Sequence, residues 1–388
     1  MHIYAAGGPA QPPRVALPQA IDGSTRPALN LATDIFTLLI MTLADVALAP
    51  NLAPATETGA LGIYQLKRLW SRAMSARRGH RAPTTLHDRH LDDLVIHASG
   101  LGLEQTASFL GQEAPSFEEF ERWIVATTGG VAPERVARIN AAIVGDEVPP
   151  ETAHWLAAVE ASAPVLDASD LACWQEYGYV VLHDAVTPAT REAAALALWQ
   201  HLEGDPDNPG TWYRPNDHGI MVQYFQHPAF EAVRRSPRIH KAFAQLWGTA
   251  NLWVTTDRVG FNAPERPDFM FRGPRLHWDV SIKTPIPLGT GGILYLTDTP
   301  PEQGAFTIVP GFQRWGEAWL QALPRGADPR QQDLYALGPR AIGGRAGDLV
   351  IWHQALPHGA SPNRGTRPRM VQYVNMFPTR IEEHEEWI

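Results

Sequence analysis

Leu276-His277-Trp278-Asp279 places an imidazole and a carboxylate two residues apart. Successive side chains on a β-strand alternate between faces, so residues i and i+2 share one. The spacing predicts a strand over Leu276 to Lys283 with His277 and Asp279 on one face, able to take two adjacent positions on a divalent metal. A third ligand is available in Ile351-Trp-His-Gln-Ala-Leu-Pro-His358-Gly359. There His358 is favoured over His353, which ends an apolar strand run and reads as a core residue. Two histidines and one carboxylate form a facial set on Fe(II) that leaves other coordination positions open. Eleven residues past His358, Arg369 opens a further strand run, Arg369 to Phe377. A planar guanidinium near such a metal suits a bidentate grip on a carboxylate. Its competitors are Arg364 and Arg367, which precede Pro368 in a turn and read as solvated, and Arg380.

With 15 histidines in the chain, His-x-Asp alone carries little weight. Its order with His358-Gly359 and a later arginine carries more, as do the segments around it. These are Gly292-Ile-Leu-Tyr-Leu-Thr-Asp298, Glu302-Gln-Gly304-Ala-Phe, Val309-Pro-Gly-Phe312, Gly347-Asp-Leu-Val-Ile-Trp352 and His358-Gly-Ala-Ser-Pro-Asn363. Through them the sequence resembles the phytanoyl-CoA dioxygenase family of Fe(II)- and 2-oxoglutarate-dependent oxygenases, over roughly residues 170 to 380. The resemblance implies an α+β chain whose C-terminal part is a double-stranded β-helix, a cupin-like jelly roll with flanking helices. It implies that His277, Asp279 and His358 hold Fe(II) and that Arg369 anchors the C5 carboxylate of 2-oxoglutarate. With O2, the implied reaction hydroxylates a C–H bond of a small molecule and converts 2-oxoglutarate to succinate. Halogenating relatives carry a small residue where this chain has Asp279, so the intact carboxylate favours hydroxylation. Desaturation or ring chemistry stays open, and a non-catalytic binding or scaffold protein on the same fold is the remaining alternative. Further co-substrate contacts are expected from Asn262, which shares a strand face with Arg258, from Tyr295, and from Ser361 or Thr366. Trp212, Arg214, Gln223 and Arg272 are the candidates for substrate contact, with core packing as the competing reading for the aromatic one.

The 388 residues are enough for two domains, and 44% hydrophobic against 19% charged content describes a globular chain. A formal net charge of −9 disfavours nucleic acid as a partner, since phosphate binding wants a basic surface. It leans against a coenzyme A thioester for the same reason, with Arg234, Arg235, Arg238 and Lys241 as the counter-indication. The single Cys173 excludes an intramolecular disulfide and fits a reducing compartment, so a cytoplasmic location without a secretory signal is expected. The apolar run Ile35 to Ala44 is ten residues long; a membrane span needs about 20.

Three segments follow: an irregular arm over residues 1–30, an all-α accessory domain over 31–148, and the jelly-roll dioxygenase domain over 165–381. Helices are expected at Leu31–Leu48, Leu61–Arg78, Leu86–Ser99, Leu103–Leu110, Ser116–Thr127 and Pro133–Ile143. Ser116-Phe-Glu-Glu119 is a capping-box pattern. The helical domain is expected to act as a substrate lid, a docking module or the contact of a homo-oligomer. Beyond it, a helix is expected over Ala229–Trp247 and strands over Leu252–Asn262, Gly292–Asp298, Phe306–Val309 and Asp348–His353. Three features are set aside. Gly289-Thr-Gly-Gly292 lacks the Lys-Ser/Thr of a phosphate loop. His90, Asp93 and His97 share a helix face without a supporting motif. Glu382-Glu-His-Glu-Glu386 reads as a solvated tail.

Overall fold

The computed structural model describes residues 52–80, 84–213, 218–384 and 386–388. The expected arm and the helix Leu31–Leu48 lie outside them. The described residues from 52 to 161 contain helices and no strands. Local chemistry sets the helix ends. Ser116 accepts from the Glu119 amide while the Glu119 carboxylate takes the Ser116 amide, which starts the helix Phe117–Thr128. Pro133 occupies the first position of the helix Pro133–Val144, and Gly145 closes it at φ 76°. The apolar faces of these helices build a core around Leu66, Leu94, Leu101, Phe120, Ile124 and Ile139. Trp253, from the β-region, packs into the same core.

The strands are β1 (Tyr179–Leu182), β2 (Met221–Val222), β3 (Leu252–Val254), β4 (Val259–Asn262), β5 (Thr290–Tyr295), β6 (Phe306–Ile308), β7 (Arg340–Ile342), β8 (Leu349–His353), β9 (His358–Ala360), β10 (Arg369–Tyr373) and β11 (Met376–Pro378). A six-stranded antiparallel sheet runs β1-β8-β5-β10-β4-β2, a three-stranded one β7-β6-β9, and a pair β11-β3. Alternation along each strand sorts the side chains. Ile293, Tyr295, Val350 and Val371 of the large sheet join Phe306 and Ile308 of the small one in a shared core. Leu294, Leu349, Ile351 and Met370 point the other way, into a core shared with the helices Pro188–His201, Pro228–Arg234 and Pro237–Trp247.

Several expected elements are broken. Leu276 to Lys283 is not a strand; its ladder contact is a single bridge, His277 to His358. Leu252 to Asn262 divides into β3 and β4 because the backbone between them is engaged by a helix: the Thr256 amide donates to His97 Nδ1 and its hydroxyl to the His97 carbonyl. Arg369 to Phe377 divides into β10 and β11, which pair in different sheets. Ala229 to Trp247 is two helices, because Pro237 cannot continue the first and Ser236 caps the second by accepting from the Ile239 amide at 3.3 Å. The helix Phe312–Ala322 has no counterpart in the sequence reading. Glu386 is exposed but anchored, 2.8 Å from Lys283 Nζ, so the tail is not simply solvated. Among the described residues no helix is long and apolar enough to cross a membrane.

Candidate metal centre

His277 and Asp279 converge without the strand that was expected to align them. His277 is held by its bridge to His358, with the backbone exchange His277 N to His358 O at 2.9 Å and His358 N to His277 O at 3.0 Å. The His277 Nε2 lies 3.2 Å from Asp279 Oδ1, and the His358 Nε2 lies 3.1 Å from Asp279 Oδ2. The three potential ligand atoms lie within 4.8 Å of one another, the one such group of three among the described residues.

The hydrogen bonds fix which nitrogens face inward. His277 Nδ1 is 2.7 Å from the Arg275 carbonyl and His358 Nδ1 is 3.0 Å from the Leu356 carbonyl. A carbonyl only accepts, so each Nδ1 carries the proton and a neutral ring offers its Nε2 lone pair to the centre. Two lone pairs and a carboxylate aimed at one point repel unless protons or a cation lie between them. Crowding by the surrounding protein disfavours the charged Asp279 even though its surface is open; where protons fill that gap, the charge on His358 and the hydrogen bonds from His277 and His358 hold its carboxyl well below the ordinary range. This donor set, with each imidazole oriented by a backbone carbonyl, fits a divalent cation.

Arg369 is the first residue of β10 and is fully buried, at 0% exposure. None of its three guanidinium nitrogens has a hydrogen-bond partner. An unpaired buried charge costs several kcal/mol, on the order of what a buried ion pair loses when one partner is removed. Tyr295 and Tyr373 lie close enough to feel the charge. Burial pushes the Tyr295 phenol up to about 12, against the pull of Arg369, and raises that of Tyr373 in the same way. Arg258, by contrast, is ion-paired to Asp257 and to Glu104 of the helical region. Glycine at 260 lets Val371 and the guanidinium approach its backbone closely: a Cβ there would meet Val371 Cγ2 at 2.8 Å and Arg369 Nη2 at 3.7 Å. A buried, unpartnered, planar cation fits a carboxylate ligand.

The other expected contacts divide. Asn262 stands opposite Arg369 in the ladder, and its amide donates to the Ser361 carbonyl at 3.1 Å. The Tyr295 hydroxyl is committed to the backbone, donating to the Ile342 carbonyl at 2.6 Å and accepting from the Phe306 amide at 3.0 Å. The Ser361 hydroxyl donates to the Ala305 carbonyl. The Gln223 amide nitrogen is buried without a partner. Trp212 and Arg272 line an aromatic cavity of about 260 Å³ with Trp199, Tyr213, Phe261 and Phe269, and none of the metal ligands lines it. Arg214 lies outside the described residues.

His353 sits at the end of β8, where burial lowers it to about 4 and its Nδ1 accepts from the Ala355 amide. His90 and His97 face β11 and the Thr256 backbone rather than each other. Within the basic run two members are spent on backbone: Arg234 donates to the Phe225 and Asp257 carbonyls and Lys241 to those of Val159 and Glu160. One residue absent from the sequence reading touches the centre. Arg330 donates to the carbonyls of Trp278 and Val280, on either side of Asp279. No local motif marks it, because the contact spans about fifty residues of chain.

The phytanoyl-CoA dioxygenase (PhyH) family model matches residues 174–371, just over half of the chain and all three candidate ligands. A Dictyostelium discoideum protein whose name places it in the same family is 21% identical over 258 residues, covering 53% of this chain and 74% of that one. Among solved structures, the non-heme alpha ketoglutarate dependent carbocyclase SnoK from nogalamycin biosynthesis is 21% identical, with a TM-score of 0.41 over 57% of this chain and 89% of that one. EctD from S. alaskensis, solved with bound Fe, is 18% identical, with a TM-score of 0.41 over 57% and 81%. The match over residues 174–371 takes in the His277, Asp279 and His358 cluster and the unpartnered Arg369, and the chain belongs to the phytanoyl-CoA dioxygenase family.

Proposed function

We propose that this chain is an Fe(II)- and 2-oxoglutarate-dependent dioxygenase that hydroxylates a C–H bond of a small molecule. The observation that carries the reading is Arg369, a fully buried guanidinium with three unpartnered nitrogens, in a chain that also gathers two histidines and an aspartate around one point. The metal ligands would be His277 Nε2, His358 Nε2 and one Asp279 oxygen, and Arg369 would take the far carboxylate of 2-oxoglutarate. Bound there, Fe(II), 2-oxoglutarate and O2 would supply the oxidant for the C–H bond, with succinate and CO2 as co-products.

The chain's own residues position and shield. Carbonyls of Arg275 and Leu356 hold the two imidazoles in the ligating tautomer. Phe306 and Trp352 pack beside His358, with ring centroids 5.8 and 5.1 Å from that of its imidazole, and would help to shield that side of the centre. Asp279 is 68% exposed, which leaves its side of the centre open to an incoming substrate. We read the two facing sheets as the halves of a double-stranded β-helix. Residues 31–148 are read as an accessory unit; a core built mainly from the helices between residues 61 and 144 supports this division. The test is succinate release from 2-oxoglutarate by purified protein with Fe(II), screened against small-molecule substrates and checked for a mass gain of one oxygen. Substrate-stimulated turnover with that product supports the reading. Product lacking the added oxygen would replace hydroxylation with another outcome.

A further inference from the structure

Asp279 lies in a segment that has lost the usual means of fixing a ligand. From Trp278 to Gly289 no residue belongs to a strand, so past the single bridge at His277 no ladder holds the backbone that carries the carboxylate. One side chain takes over. Arg330 Nη1 donates to the Trp278 carbonyl at 2.9 Å and Nη2 to the Val280 carbonyl at 2.6 Å, bracketing Asp279. Arg330 is itself fixed twice. Its amide donates to Asp328 Oδ1 at 2.8 Å, which sets the turn that presents it. Its Nε and Nη2 donate to the Ile388 carbonyl at 3.1 and 2.9 Å, and its guanidinium lies 4.6 Å over the Trp387 ring.

The last residues of the sequence also hold the segment directly. The Ser281 hydroxyl donates to the Glu386 carbonyl at 2.8 Å and accepts from the Ile388 amide at 3.3 Å. Lys283 pairs with Glu386 at 2.8 Å. The stretch Trp278 to Lys283 is therefore held between Arg330 and the segment Glu386–Ile388.

We propose that Arg330 is a positioning residue of the metal centre and that Glu386–Ile388 is a strap that completes it. This rests on the metal-centre reading above. The guanidinium replaces the missing ladder partner on both sides of Asp279 through a rigid fork of donors, which lysine cannot reproduce. Holding the carboxylate in place before the metal arrives removes an ordering cost from binding. Outer partners of metal ligands carry about 10- to 100-fold in metal affinity. Coupling is reciprocal, so metal binding favours the docked strap as the strap favours metal binding.

The test compares full-length wild type, Arg330→Lys, a chain lacking residues 386–388, and Asp279→Ala. Each metal-free protein is titrated with Mn(II) by electron paramagnetic resonance, followed by hydrogen exchange of the peptides spanning 278–283 and 386–388 with and without Mn(II). Arg330→Lys and the shortened chain are expected to keep their unfolding midpoints and to bind Mn(II) about tenfold more weakly. Mn(II) is expected to slow exchange in 386–388 of the wild type and not of Arg330→Lys. Binding by both altered chains as tight as wild type, or exchange in 386–388 that ignores Mn(II), overturns the strap and leaves the metal centre standing. Wild type that binds no Mn(II), or binds it no better than Asp279→Ala, overturns both. Should Arg330→Lys fail to fold, the shortened chain decides alone: weaker binding supports the strap and unchanged binding overturns it.

Discussion

Arg369 and Asn262 stand opposite each other in the β10–β4 ladder, and the Asn262 amide continues to the Ser361 carbonyl, three residues beyond His358. The proposed anion pocket and the proposed metal centre are thus joined through a short, part-buried connection. Replacing Arg369 by alanine is expected to weaken 2-oxoglutarate binding on the order of a hundredfold, the scale for removing one member of a buried charge pair. Metal affinity in the absence of 2-oxoglutarate should be unchanged. Titration calorimetry with each ligand separates the two effects.

Gly260→Ala should show how closely the pocket is built. The added methyl would sit 2.8 Å from Val371 Cγ2 and 3.4 Å from the Ile220 carbonyl, beside the Arg369 guanidinium. Overpacking of this kind costs about 1–3 kcal/mol. A lower denaturation midpoint together with weaker 2-oxoglutarate binding is expected; a variant with both unchanged would mean that the close approach at Gly260 is not needed.

Tyr295→Phe separates a structural role from a ligand role. The hydroxyl links the two sheets by bonding to the Ile342 carbonyl and the Phe306 amide. Its loss leaves buried polar groups unpaired, at about 1–3 kcal/mol. Denaturant unfolding should show that loss while the KM for 2-oxoglutarate stays near wild type. A raised KM at full stability would restore Tyr295 as a co-substrate contact.

Stability should also respond to His97, which burial lowers to about 4, against the pull of the Asp257 charge. The unfolded chain takes up this proton near pH 6.5 and the folded chain only near 4. The stabilisation from keeping the ring neutral is therefore complete above about 6.5 and falls steadily as pH drops toward 4, by up to about 3 kcal/mol. Other groups titrate in the same window, so the useful quantity is the difference between wild type and His97→Asn. Denaturation between pH 4.5 and 7.5 should give that difference a positive slope with pH, and a flat difference would remove His97 from the pH response.

The parts of this molecule legible in the sequence are those that local chemistry sets. The capping box at Ser116, Pro133 at a helix start and the apolar run Ile293 to Leu296 within the expected strand all produce the elements they signal. Order and flanking segments single out His277, Asp279 and His358, which the structure brings together, and Arg369, which it buries. The strand expected to align the first two was not formed, because alternation says nothing about whether a neighbouring strand is present. The strand split at Thr255–Arg258 depends on His97, over 150 residues away, and the support of Asp279 depends on Arg330 and Ile388. Such long-range contacts leave no periodicity to read. Ser236-Pro237 is a readable stop inside an apolar helical pattern.

In the proposed enzyme His277, Asp279 and His358 form a metal centre that works with a carboxylate anchored by Arg369. Anaerobic titration of metal-free protein with Fe(II) and then 2-oxoglutarate, watched for a visible metal-to-ligand charge-transfer band, tests it most directly. A band is expected in wild type, none in Asp279→Ala, and in Arg369→Ala a band that needs far more 2-oxoglutarate. Folded wild-type protein that retains no iron and develops no band would contradict it.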